Sequence, residues 1–317
     1  MKPLQLSGLV AATHTPFRAD GALNLDIVEP QVAHLLQHGL TTAFIGGSTG
    51  ESQSLSLDER SQLARRWFEI TRGTPLKVIV HVGSNCLADA RALTAQAEAL
   101  GATAVAALAP SYFKPRSLDA LIACCAQIAA AAPNTPFYFY DIPALTGVSF
   151  SMPEFLAQAA GALPTLAGIK FTNSDLMSYQ LCLRVGGGRF DLPYGNDECL
   201  LAALALGARG AVGSSYNFAA PLYQRLIRAF DKGDLAEARA EQFRSVQLIQ
   251  LLASYGYLGA AKATMTMLGV DVGPPRLPNG RLSAEQQARL RLDLEKLGFF
   301  DWIQPSAPVA NRQPVSS

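Results

Sequence analysis

The chain has 317 residues, 49% of them hydrophobic and 16% charged, with 26 lysines and arginines against 25 aspartates and glutamates. A formal charge of +1 gives no electrostatic ground for nucleic-acid binding, and no run approaches the ~18 apolar residues of a membrane span. Five cysteines with no C-x-x-C pair read as reduced core residues, and with no leader pattern in residues 1–14 the expected location is the cytoplasm.

Residues 6–13 form a short apolar run ending at His14-Thr-Pro16, and a helical pattern follows through Leu25, Val28, Val32 and Leu35. Residues 42–47 repeat the unit, running into Ser48-Thr49-Gly50-Glu51 and a helix over 57–71 whose start is favoured by Asp58 and Glu59. The β-branched run 76–82 comes next, then an Ala-rich helix over 88–100 stopped by Gly101. Runs at 104–108, 136–141 and 165–171 carry helices over 118–131, 153–160 and 176–185. The seventh run, 190–194, is weakened by Pro193 and leads to a helix over 197–206; the eighth, 210–213, leads to one over 220–230.

Eight alternating units imply parallel strands with right-handed crossovers. Packed into residues 1–233, they match a (β/α)8 TIM barrel better than an open Rossmann-like sheet, since no G-x-G-x-x-G follows the first strand. Residues 234–303 read as a C-terminal helical extension packed on the barrel, with helices over 234–254, 259–268 and 283–297, the last opened by the capping box Ser283-Ala-Glu-Gln286. The Pro- and Ser-rich residues 304–317 read as a disordered tail.

Barrel chemistry gathers at the C-terminal strand ends. Lys170 ends the sixth run, where a buried strand offers an ammonium little solvation and favours a neutral amine that can attack a ketone; alone, it reads first as a lysine that snorkels to water. Gly46, Gly47 and Gly50 allow close approach of a ligand, and Ser48 and Thr49 ahead of a helix suit a carboxylate or a phosphate, unless the stretch is a plain turn. Tyr140, one strand before Lys170, is placed either to relay protons or to pack. Asp197 and Glu198 open a helix, where carboxylates either complement the dipole or bind substrate hydroxyls. The four histidines make no metal signature, so no metal is expected, and Ser48 lacks the histidine partner of a hydrolase elbow.

Four motifs taken together, Gly46-Gly-Ser-Thr-Gly-Glu51, Tyr140-Asp-Ile-Pro-Ala-Leu-Thr-Gly147, Gly168-Ile-Lys-Phe-Thr172 and Gly213-Ser-Ser-Tyr-Asn217, resemble those of the class I aldolase family that includes dihydrodipicolinate synthases and N-acetylneuraminate lyases. The resemblance covers nearly the whole chain. It is nearer to the lyase branch in Gly8-Leu-Val-Ala-Ala-Thr13, Ile142-Pro-Ala-Leu-Thr-Gly147, Asp197-Glu198 and Gly273-Pro-Pro-Arg-Leu-Pro278, and Leu145 stands where the synthases carry an arginine. Asp141 departs from the Asn or His usual beside the tyrosine.

The resemblance implies a Schiff base on Lys170 with a 2-oxo acid, Ser48 and Thr49 on its carboxylate, and Tyr140 as the proton relay. Thr172, Gly195, Asp197, Glu198 and Ser214 would take the polyol end. Tyr112 matches a rim tyrosine that joins the relay from a neighbouring subunit of a homotetramer. No cofactor is implied. The reaction would be reversible cleavage of N-acetylneuraminate to N-acetylmannosamine and pyruvate. Alternatives are an aldolase or dehydratase for 2-keto-3-deoxy sugar acids, a 4-hydroxy-tetrahydrodipicolinate synthase, and a sugar-acid sensor that keeps the barrel without turnover.

Overall fold

A computed structural model describes residues 4–304. Seven strands, β1 (Gly8–Ala12), β2 (Thr42–Ile45), β3 (Lys77–His81), β4 (Ala104–Leu108), β5 (Phe137–Asp141), β6 (Leu166–Phe171) and β7 (Gly210–Gly213), pair in parallel in the order β6-β5-β4-β3-β2-β1-β7. The seventh run of the sequence reading is the seventh stave in chain order and completes the eight of the barrel, though it is not a continuous strand. Residues 190–194 bridge β6 and β7: Asp191 N–H donates to Ala167 O at 2.9 Å, Phe171 N–H to Pro193 O at 2.9 Å, and Tyr194 N–H to Gly210 O at 3.0 Å. Pro193 has no N–H to give the ladder, which explains why pairing here reduces to isolated bridges.

The core has two shells because strand side chains alternate. On β5, Phe137 and Phe139 pack outward against the helices, while Tyr138 and Tyr140 join Val10, Phe44 and Ile79 inside the barrel. β6 carries a register shift: Phe137 pairs with Leu166 but Tyr138 pairs with Gly168, leaving Ala167 as an extra residue. Beyond this bulge, Ile169 and Phe171 lie in the outer shell and Lys170 stands opposite Tyr140.

Several helices begin where a side chain satisfies one of the first free N–H groups. Helix Leu57–Thr71 has the capping box Ser56/Glu59, and helix Ala284–Leu297 the box Ser283/Gln286. Past the barrel, helix Leu235–Ser254 lies along helix Tyr216–Asp231, where fully buried Glu241 accepts from Arg225 Nε at 2.7 Å. Helices Tyr257–Met267 and Ala284–Leu297 complete the extension, and the tail expected at 304–317 lies, apart from Gln304, outside the described residues.

The reading of all five cysteines as core residues needs correction. Cys125 and Cys182 are buried, whereas Cys86 and Cys199 are exposed, because they sit in the loops that follow β3 and the seventh stave. Histidines 34 and 38 serve the fold: His34 Nε2 donates to Asn217 O at 2.8 Å, and His38 Nδ1 to His34 O at 2.8 Å.

A Cβ at position 168 would overlap the backbone oxygen of Asp191, so only glycine lets the seventh stave dock on β6. Gly168→Ala should therefore cost ~2 kcal/mol or more of stability through overpacking. Urea unfolding measures this, and a midpoint equal to the native chain's would contradict the close approach.

Candidate active site

Lys170 is only 4% exposed. Its Nζ lies 4.0 Å from the centroid of the Tyr140 ring and 4.2 Å from that of Phe44, so two π faces take the place of solvent. No carboxylate among the described residues lies within ion-pair reach of it. The Tyr140 ring is itself fixed by edge contacts with Phe44 and His81, at centroid separations of 5.9 and 5.8 Å. His81 is buried with Nδ1 on Gly46 O at 2.8 Å and Nε2 accepting from Leu108 N–H at 3.4 Å, and burial holds it neutral, well below the ordinary imidazole range. It thus braces the Tyr140 ring as a neutral imidazole.

The lysine opens into a cavity of about 580 Å³ at the C-terminal strand ends. Ser48 and Thr49 form one side, and Ser48 Oγ is 3.4 Å from the Tyr140 hydroxyl. The helix that follows them starts at Leu57, as the sequence reading has it, with a 3-10 turn at Ser52–Ser54 between. The Ser48–Thr49 cradle therefore rests on turn geometry, not on a helix terminus.

Thr172, Gly195 and Ser214 line the opposite side, and Leu145, 66% exposed, stands at the mouth. The buried Thr172 Oγ1 has no hydrogen-bond partner, and a side chain on Gly195 would fill its place. Asp197 is not part of the cavity wall but lies behind it. One oxygen accepts from Ser215 N–H at 3.0 Å and from the Ser215 hydroxyl; the other, Oδ1, abuts Gly213 of the wall, and the Tyr216 hydroxyl faces the carboxyl. Burial raises its carboxyl to about 6, against the opposing Ser215 bonds.

Glu198 is exposed and does not line the cavity, because the 3-10 turn Asp197–Cys199 directs it outward. Tyr112 is 79% exposed, edge-on to Phe113 on the outer surface, and is not brought to Lys170 within one chain. Sequence reading missed Tyr257 and Asn279, which reach the cavity from the extension, Tyr257 with its hydroxyl 2.7 Å from Ser214 Oγ. Gly256 and Gly259, flanking Tyr257-Leu258, were the available signal. Phe44 and His81 were also missed, since an aromatic on a buried strand looks like packing.

Fold and site together define a (β/α)8-barrel enzyme of the aldolase class. Residues 5–297 match the dihydrodipicolinate synthetase family, and the chain belongs to that family. The N-acetylneuraminate lyase of Gallus gallus is 40% identical over 301 residues, covering 94% of this chain and 98% of that protein. That of Homo sapiens is 38% identical over 302 residues, 94% of each. The solved Proteus mirabilis N-acetylneuraminate lyase superposes with a TM-score of 0.91 at 40% identity, over 93% of this chain and 100% of that one. The family consists of carbon–carbon lyases and related class I aldolases that work through a lysine Schiff base without a metal. Among the described residues no helix is long and apolar enough to cross a membrane.

Asp141 is 3% exposed, and burial lifts its carboxyl to about 6, against the hydrogen bond from Asn173 Nδ2 at 3.1 Å. The folded chain thus keeps this proton to a higher pH than the unfolded chain, so stability falls as pH rises from about 4 through about 6 and is level above. Asp141→Asn mimics the protonated form. It should match the native chain near pH 4 and exceed it above pH 6 by on the order of 2–3 kcal/mol. Urea melts at several pH values check this, and a gain independent of pH would refute it.

Proposed function

We propose that the chain cleaves N-acetylneuraminate reversibly to N-acetylmannosamine and pyruvate through a Schiff base on Lys170. The observation that carries the reading is the buried Lys170 Nζ, with no carboxylate beside it, opening into the cavity at the strand ends and stacked on a tyrosine whose hydroxyl faces Ser48. The identity with N-acetylneuraminate lyases along nearly the whole chain supports the substrate.

The Lys170 amine attacks C2 of the 2-oxo acid, while Ser48 and Thr49 hold its carboxylate. Tyr140 passes a proton to the leaving hydroxyl, water departs, and an iminium remains. Removal of the C4 hydroxyl proton breaks the C3–C4 bond, and its electron pair moves into the iminium to give an enamine. N-acetylmannosamine leaves. Protonation at C3 and hydrolysis release pyruvate and restore the amine, with no cofactor.

The polyol end lies against Thr172, Gly195 and Ser214. The Thr172 hydroxyl, with no partner among the described residues, supplies what a substrate hydroxyl needs, and Asp197 supports this wall from behind Gly213. Glu198 points outward from the cavity and is assigned no substrate contact, and Tyr112 completes the relay from a neighbouring subunit of a homotetramer. Leu145 offers no charge to a second carboxylate. Residues 1–233 form the catalytic barrel, residues 234–303 the extension, and the enzyme works in the cytoplasm.

Lys170→Ala should abolish cleavage, and borohydride with pyruvate should add a reduced pyruvyl group to the Lys170 peptide of the native chain alone. Absence of that mass increment would sink the mechanism. Tyr140→Phe should still be trapped by borohydride yet turn over ~10²–10⁴-fold more slowly. In a panel of sugar acids N-acetylneuraminate should be cleaved most efficiently; preference for a 2-keto-3-deoxy sugar acid would overturn the substrate.

A further inference from the structure

Ser48 and Thr49 sit in a tight turn whose last residue is anomalous. Glu51 has φ +54°, the only non-glycine residue with positive φ among the described residues. Left-handed backbone is unfavourable for a glutamate and persists only where the surroundings over-determine it. The surroundings here come from the extension, far along the chain.

The Glu51 side chain is completely buried. Oε1 accepts from Lys262 Nζ at 2.7 Å, and Oε2 accepts from the Arg276 backbone N–H at 2.8 Å. Lys262 is 1% exposed on helix Tyr257–Met267 and also donates to Pro274 O at 3.1 Å. The Arg276 guanidinium binds Gly21 O, Ser54 O and Glu59, tying the 274–276 strap to the loops that follow β1 and β2. Lys262 Nζ and the Arg276 guanidinium both lie over the Phe17 ring, at 4.4 and 4.3 Å. His14, fully buried near Lys262, is held neutral, its pKa lowered to about 3, so it brings no second charge to the pair.

Glu51 itself touches nothing in the cavity. Two of its neighbours in the turn do, and Glu51 N–H closes the turn on Ser48 O at 3.0 Å. We infer that Glu51 is a positioning residue, clamped by Lys262 and the 274–276 strap in a left-handed conformation that aims Ser48 and Thr49 at the carboxylate of the substrate. The C-terminal extension is thereby part of the catalytic apparatus. The inference rests on the reading of Ser48 and Thr49 as the carboxylate cradle.

The test compares half-saturation by pyruvate in borohydride trapping, together with kcat and KM for N-acetylneuraminate, at a temperature where each variant is folded. Glu51→Gln/Lys262→Met removes the clamp without leaving a buried charge unpaired. Glu51→Gly removes the clamp and relieves the left-handed strain. Both should raise the half-saturating pyruvate concentration by ~10-fold or more, as misplacement of a binding group does. Lys262→Met alone should show the same rise with a lower Tm, from the carboxylate left uncompensated.

A half-saturating concentration within twofold of native in either the double variant or Glu51→Gly would overturn the positioning role. So would loss of folding in every variant, since the pair would then serve the fold alone. Ser48→Ala separates this failure from that of the underlying reading: if it leaves half-saturation unchanged, the cradle itself is misassigned. If Ser48→Ala raises it and the Glu51 variants do not, only the clamp fails.

Discussion

An inward-facing lysine at the end of a buried parallel strand depends here on one extra residue. Strand side chains alternate with a period of two, so a slip of one residue moves a whole strand's set to the other face. In β6 the bulge at Ala167 makes that slip within the strand. Ile169 and Phe171 turn to the helices, and Lys170 comes into register with Tyr140. Without it, the apolar residues would face the cavity and the lysine would be pressed into the outer shell. The approach of the seventh stave at Gly168, immediately after the bulge, holds this phase in place.

Once inside, the amine is surrounded by groups that leave it available. Rings rather than carboxylates contact Lys170, and the rings are held by a neutral His81 whose two nitrogens are both engaged. An ion pair would have fixed the ammonium; a π surface stabilises the cation weakly and blocks no approach to the nitrogen. On the other side of the cavity the logic reverses. The Thr172 hydroxyl oxygen is kept buried with no partner among the described residues, a costly arrangement in a folded core unless a ligand supplies the missing bond.

The barrel and its extension are mechanically one unit around this cavity. The extension contributes Tyr257 and Asn279 to the wall, and its Lys262 closes a fully buried ion pair with the β2 loop. Such a pair contributes little net stability relative to an apolar replacement, but either partner alone is strongly unfavourable. It therefore fixes where the loop sits more than how stable the chain is.

The sequence by itself determined the architecture and singled out the candidate residues. Alternating runs with helices specify a parallel barrel, and polar residues at the ends of apolar runs mark Lys170, Tyr140, Ser48 and Thr49, because strand ends and periodicities are local properties. The tertiary structure decided which polar groups face the cavity. Asp197 and Glu198 are adjacent in sequence, yet the turn they form buries one behind Gly213 and exposes the other. Phe44 and His81 read as packing until the barrel closes and sets them around Tyr140. Glu51 and Lys262 are 211 residues apart, and no local pattern announces a pairing made only when the extension folds back over the β2 loop. Bulge phase, long-range ion pairs and the room left by a glycine all depend on contacts between distant segments. Those contacts do not exist until the chain has folded.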